Sequence, residues 1–222
     1  MLPLKDNLPT SRFPVLTVLL IVANVGFFIW QTQFQSDRLE RSVGLESIDA
    51  SAVEYGAIPQ RITHPGDSEC AIQPGQRTAE IVCGGEVRPG DPPLDQAPWW
   101  VTVFTSMFMH GGLLHIAGNM LFLWIFGNNI EDSMGRPRFL LFYLLAGIAA
   151  VYAQALLDPS SAVPTIGASG AVAGVLGGYA LLHPRARVLT LVFIIFFVTL
   201  IELPAVLLLG IWFILQFLPA LG

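Results

Sequence analysis

Charge is what this sequence has least of. Only 12% of its 222 residues are Asp, Glu, Lys or Arg, about half the share of a soluble globular domain, and that scarcity excludes an ordinary aqueous fold. Eleven basic residues face sixteen acidic ones, so no cationic surface is available for a phosphate backbone and nucleic acid is excluded as a partner. Cysteine is nearly absent: Cys70 and Cys83, even joined by His64, would give a metal three ligands at irregular spacing, and neither metal nor organic cofactor is implied. What is present in excess is apolar side chain, 54% of residues with a mean hydropathy of +0.64. The bilayer is the medium such a chain requires.

Hydropathy divides the chain into apolar stretches, each read against the length of about 20 residues that a crossing helix needs. They run from Pro14 to Trp30, from Leu113 to Phe126 with Gly127-Asn128-Asn129 as the stop, from Phe139 to Leu157, and from Gly167 to Leu182. Two shorter stretches follow, Val188 to Ile201 and Ala205 to Leu218, separated by Glu202-Leu203-Pro204. One of these two is expected to be the fifth span and the other an interfacial or re-entrant piece. The first stretch is longer than a signal-peptide core and lacks a small-x-small cleavage site, so it reads as a retained span.

Basic residues orient the spans, because cytoplasmic loops retain Lys and Arg. Lys5 and Arg12 precede the first span, Arg136 and Arg138 follow the second, and Arg185 and Arg187 follow the fourth, whereas the connection after the third has none. This predicts a cytoplasmic N-terminus. Residues 1–13 then form a cytoplasmic segment, 14–30 the first transmembrane helix, 31–98 an extracytoplasmic loop, and 99–222 the membrane core. The loop holds five Arg against eleven acidic residues, shows no clean periodicity, and contains both cysteines. On an oxidising face a small disulfide-closed loop is the expected reading of Cys70 and Cys83, with free thiols and a three-ligand zinc site including His64 as the alternatives.

Polar groups in hydrocarbon are costly enough that each needs a partner or a task. His115 and Asn119 in the second span are four residues apart, about 40° around a helix, and share one face. His110, five residues earlier and about 140° away, needs a non-helical entry, which Gly111-Gly112 permits. Ser169 opens the fourth span within Gly167-Ala168-Ser169-Gly170. Taken separately, His115 and Asn119 also read as interhelical glue, and Ser169 as one small residue in the ridge continued by Gly170, Gly174 and Gly178. The same ridge would hold Ser169 at a helix N-terminus, where free N–H groups favour a developing oxyanion.

Taken together, His110-x4-His115-x3-Asn119 and Gly167-x-Ser169-Gly170 resemble the signature of the rhomboid intramembrane serine proteases. Glu131, Gly135, Arg138 and Phe139, Tyr55-Gly56-Ala57-Ile58-Pro59, and His183-Pro184 extend the resemblance over nearly the whole chain. It implies an all-α, polytopic transmembrane helical bundle in a bacterial plasma membrane, with transmembrane proteins as substrates and the lipid bilayer as partner. Residue by residue, it implies that Ser169 is the nucleophile. It gives His115 and Asn119, together with the Ser169 backbone N–H, the oxyanion-donor role. His110 fixes a loop, and Gly167 and Gly170 support the serine. No pattern speaks to oligomeric state.

Two departures accompany the likeness. Rhomboids often carry Trp-Arg nine and eight residues before the first His, where this chain has Val101 and Thr102, so the entry loop is expected to be tethered differently. The family's general base is a His in a sixth span, and no Ala-His-x-x-Gly occurs before Gly222. The expectation is therefore five spans with the sixth missing, and little or no proteolysis from these 222 residues by themselves, since an unassisted serine is a poor nucleophile. A non-catalytic binder of membrane helices is the alternative reading. A solute channel is disfavoured by the lack of inverted repeats and of intramembrane charge other than Glu202.

Overall fold

A computed structural model describes residues 1–33, 47–66, 69–74, 79–91, 93–94, 96–194 and 197–217. Five of its helices are apolar. Three are long and apolar enough to cross a membrane: α1 (Val15–Gln33), then α5 (Leu113–Met134) and α6 (Arg136–Leu157). Two shorter ones are α7 (Ser169–Leu182) and α8 (Ala205–Phe217). Between α1 and α5 lie the small helices α2 (Ser47–Tyr55), α3 (Pro59–Thr63) and α4 (Trp99–Thr105). The chain is thus a mainly helical polytopic protein of the expected class, and it resolves into two compact units.

The first unit comprises residues 1–21, 118–146 and 171–222. Helix α5 does not stop at Gly127-Asn128-Asn129 but continues to Met134. One Gly and two Asn in a helix cost about 1 kcal/mol each or less, and Asn129 offsets its share by donating from Nδ2 to Asp6 Oδ2 at 2.6 Å. The actual stop is Gly135, whose φ of 76° and N–H bond to the Glu131 carbonyl make a left-handed cap. Glu131, buried, turns its carboxylate to the start of α1, accepting from the Leu16 and Thr17 N–H groups at 3.0 and 2.8 Å and from the Thr17 hydroxyl at 2.9 Å. An anion there satisfies orphan donors and complements the positive end of the helix.

The described residues of the stretch 188–201 are strand, so of the two short stretches left open as the fifth span only the second is helical. The strands are β4 (Arg187–Ile194) and β5 (Phe197–Pro204), an antiparallel pair whose other edge is completed by β1 (Leu2–Asp6) in the order β1-β4-β5. Val188, Thr190 and Val192 are buried and alternate with less buried neighbours, the period of a strand rather than a helix. The helix after Pro204 is the apolar one, from Ala205 to Phe217; Leu218, the expected last residue of that stretch, lies outside the described residues. The sheet ties the N-terminal segment to the connection after α7. Asp6 latches it, its Oδ2 also accepting from the Tyr179 hydroxyl at 2.7 Å.

The second unit comprises residues 22–117 and 147–170. Much of the expected loop is folded here. Strands β2 (Cys70–Pro74) and β3 (Ala79–Cys83) form a hairpin in which Cys70 and Cys83 are cross-strand partners joined by a disulfide. That bond removes both thiolates from the zinc reading. The disulfide packs with Ile58, Ile81, Leu94 and Ala162, while Ala57, Ile62, Val103, Val151 and Ala155 form a second cluster. These apolar contacts, drawn from residues far apart in sequence, are why no local periodicity announced the unit. Helix α4 is tied by Thr105, whose hydroxyl donates to the Tyr55 carbonyl at 2.7 Å.

Candidate active site

Within the second unit, the segment Ala162–Ala168 carries the chain into α7, whose first residue is Ser169. Three backbone hydrogen bonds fix it. Ala57 and Thr165 exchange both of theirs, at 3.0 and 2.8 Å, and Gly167 donates to the Ser106 carbonyl at 2.8 Å. Gly56 permits this approach, since a β-carbon on it would stand 2.8 Å from that of Pro164. The Tyr55–Pro59 segment therefore serves as a brace for the serine. At the helix start, the Ser169 N–H is one of the donors that no helical carbonyl can satisfy.

Gly167 has φ of 121°, a left-handed conformation that favours glycine. The point at which its β-carbon would sit is 2.9 Å from His115 Nε2, 2.8 Å from His115 Cε1 and 3.5 Å from Ser169 Oγ. The missing side chain is thus what lets the imidazole and the hydroxyl converge. Both residues are only partly buried. The two groups are not hydrogen-bonded to each other.

The far side of the His115 ring faces its own entry loop. The Gly111 N–H contacts Nδ1 at a long 3.4 Å, and a neutral ring accepting there carries its proton on Nε2, the nitrogen beside Gly167. His110 is fully buried, meets the His115 ring edge-on at 5.2 Å between centroids, and has Nδ1 3.2 Å from the Phe108 carbonyl. Its Nε2 has no hydrogen-bond partner. Asn119 lies one turn further along α5 in the first unit; it is 6% exposed and its Nδ2 is likewise unpartnered. A buried amide donor left unused is costly to keep.

Gly170 completes the set of expected residues. A β-carbon on it would overlap that of Ala150, so α6 packs directly against the first turn of α7. Ser169, His115, Gly167, Gly170 and His110 are therefore gathered in one unit. Sequence reasoning missed the Ser106 carbonyl, the Ala57–Thr165 bridge and Gln31. Gln31 was placed just beyond the first span, but it is a fully buried residue of α1. The only available signal was its position one helical turn after Phe27.

Comparison with known proteins gives a coherent result. The family model described as the Rhomboid domain matches residues 97–221, more than half of the chain. Rhomboid protease GluP of Bacillus subtilis is 43% identical over 82 residues, 37% of this chain and 15% of that protein. Rhomboid protein 1, mitochondrial, of Saccharomyces cerevisiae is 34% identical over 97 residues, 42% of this chain and 28% of that protein. Rhomboid-like protein 11, chloroplastic, of Arabidopsis thaliana is 39% identical over 77 residues, 35% of this chain and 27% of that protein. The chain thus matches less than a third of the length of each of these relatives. No solved structure matches it.

Proposed function

Since this chain belongs to the rhomboid family, and is accordingly an integral membrane protein, we propose that it is an intramembrane serine endopeptidase that cleaves transmembrane segments of other membrane proteins. The observation that carries the proposal is the convergence of Ser169 Oγ and His115 Nε2 on the empty side of Gly167.

In this reading Ser169 Oγ attacks the scissile carbonyl carbon while its proton passes to a general base, to which none of the residues placed above is assigned. The electron pair moves onto the carbonyl oxygen, and the resulting oxyanion receives N–H groups from His115 Nε2, from Asn119 Nδ2 and from the Ser169 backbone. The C–N bond then breaks as that base returns the proton to the leaving amine, and water later frees the acyl group from Oγ. The long Gly111 contact favours His115 as a donor rather than as the base that takes the serine proton. Asn119 shares the His115 face of α5 by its spacing of four, and its free Nδ2 supports the same role. Each such donor is worth about 2.7–4 kcal/mol in other oxyanion holes.

A helical substrate has its backbone groups already paired, so it must unwind before a carbonyl can enter. Single-span proteins with Gly or Ala near the outer face are the substrate class this favours. The N-terminus is cytoplasmic in this reading, in a bacterial plasma membrane. The positive residues before α1, after α5 and after α7 support that orientation, as does the sheet joining β1 to the segment after α7.

The test is incubation of the protein, produced from its own gene in membranes, with a fluorescent single-span substrate of that class. Cleavage that disappears in Ser169→Ala is the expected result. Cleavage retained in Ser169→Ala would refute the assignment, and saturable binding without cleavage would favour a non-catalytic binder of transmembrane segments.

A further inference from the structure

Gln31 does something that an ordinary lipid-facing residue of α1 does not. Its side-chain amide reads the backbone of His110 in both directions, Nε2 donating to the His110 carbonyl at 3.0 Å and Oε1 accepting from the His110 N–H at 3.1 Å. The pair of bonds imitates a rung of β-sheet, and both residues are fully buried. One turn earlier on the same face of α1, the Phe27 ring packs on Phe108 at 5.3 Å. Two residues four apart therefore grip the two ends of a three-residue segment.

That segment is also held by the Met109 N–H bond to the Ser106 carbonyl at 3.3 Å and by the His110 Nδ1 contact with the Phe108 carbonyl, but the link that follows it is two glycines. Gly111 and Gly112 follow His110, Gly112 has φ of 152°, and a glycine pair loses more conformational freedom on ordering than any other. Yet this short link sets the ring of His115 in two ways. The Gly111 N–H meets Nδ1, and the His110 ring abuts the imidazole edge-on. The Gln31 amide fixes the residue from which the link starts, through its two bonds to the His110 backbone.

We propose that Gln31 is a positioning residue for the oxyanion pocket: by clamping the His110 backbone it holds the Gly111 N–H on His115 Nδ1 and so keeps a proton on Nε2, aimed at the site beside Gly167. It touches neither substrate nor Ser169 and acts through the loop. The inference rests on the protease reading for its kinetic consequence, but its structural consequence stands separately.

The experiment compares wild type, Gln31→Met and Gln31→Glu in two readouts. Met matches the length of Gln but removes both bonds. Glu retains an acceptor, and its protonated acid form restores the donor to the His110 carbonyl. The first readout is the 15N spectrum of histidine-labelled protein, with His115 assigned by its loss in His115→Ala. The second is kcat and KM on the fluorescent substrate, taken as ratios to wild type across pH. Gln31→Met is expected to lower kcat by about 10²-fold with KM little changed, and to shift His115 from a single Nε2-protonated tautomer to a mixture. Gln31→Glu is expected to approach wild type as the pH falls, which a packing role alone would not produce. Wild-type kcat and an unchanged His115 spectrum in Gln31→Met would overturn the proposal. If Gln31→Met does not fold, a Gln31→Glu ratio independent of pH overturns it equally. If wild type shows no cleavage, the protease reading fails while the nitrogen spectra still decide the role of Gln31.

Discussion

Gly167 and His115 are so close that no side chain fits between them: a β-carbon on the glycine would stand 2.9 Å from Nε2 of the imidazole. Alanine there would have to displace the ring and also accept a φ of 121°. Gly167→Ala is therefore expected to lower kcat by about 10²-fold or more, the cost of displacing a catalytic group by an ångström. Side-by-side kinetics and thermal denaturation check this, with the loss in rate exceeding what any change in folded fraction explains.

The glycine ridge of α7 makes a prediction about stability alone. A β-carbon on Gly174 would overlap that of Ala146, both within one unit. Gly174→Ala gains about 1 kcal/mol of helix propensity, but overpacking a tight contact costs typically 1–3 kcal/mol. The variant is expected to be less stable, and Ala146→Gly in the same chain is expected to restore much of the loss. A double-mutant cycle by denaturation in detergent reads the coupling.

Asp6 makes a prediction about pH. Burial holds its carboxyl above the ordinary value of 3.8, against the opposing effects of the Tyr179 hydroxyl, nearby backbone N–H groups and His183. A folded-state pKa raised above the unfolded one means that this group's contribution is full below 3.8 and is lost as the pH rises through the folded value. Thermal stability should fall over that window in the wild type and fall less in Asp6→Asn. Both bonds to Asp6 go to Oδ2, so an amide oxygen can keep them.

These relationships were unequally legible in the sequence. The spacing of His115 and Asn119 and the small residues around Ser169 pointed to a helix face and a helix start, because helical geometry and steric size are local properties. The β4–β5 pair was not legible, since an apolar run of Val, Ile, Phe and Leu satisfies hydropathy equally as helix or strand. The strand that pairs with its outer edge, β1, lies more than 180 residues away in the chain. Gln31, and the contact that Glu131 makes, were opaque for the same reason: each polar side chain is satisfied by backbone that only the folded chain brings near, His110 in one case and the start of α1 in the other.

The central claim is that the Ser169 hydroxyl is the nucleophile, and mapping a covalent adduct tests it most directly. Membranes containing the protein are treated with a fluorophosphonate, digested, and read by mass spectrometry. The account predicts an adduct on the Ser169 peptide, weakened in His115→Ala and absent in Ser169→Ala. An active protein whose adduct falls on another residue, or persists in Ser169→Ala, would contradict it.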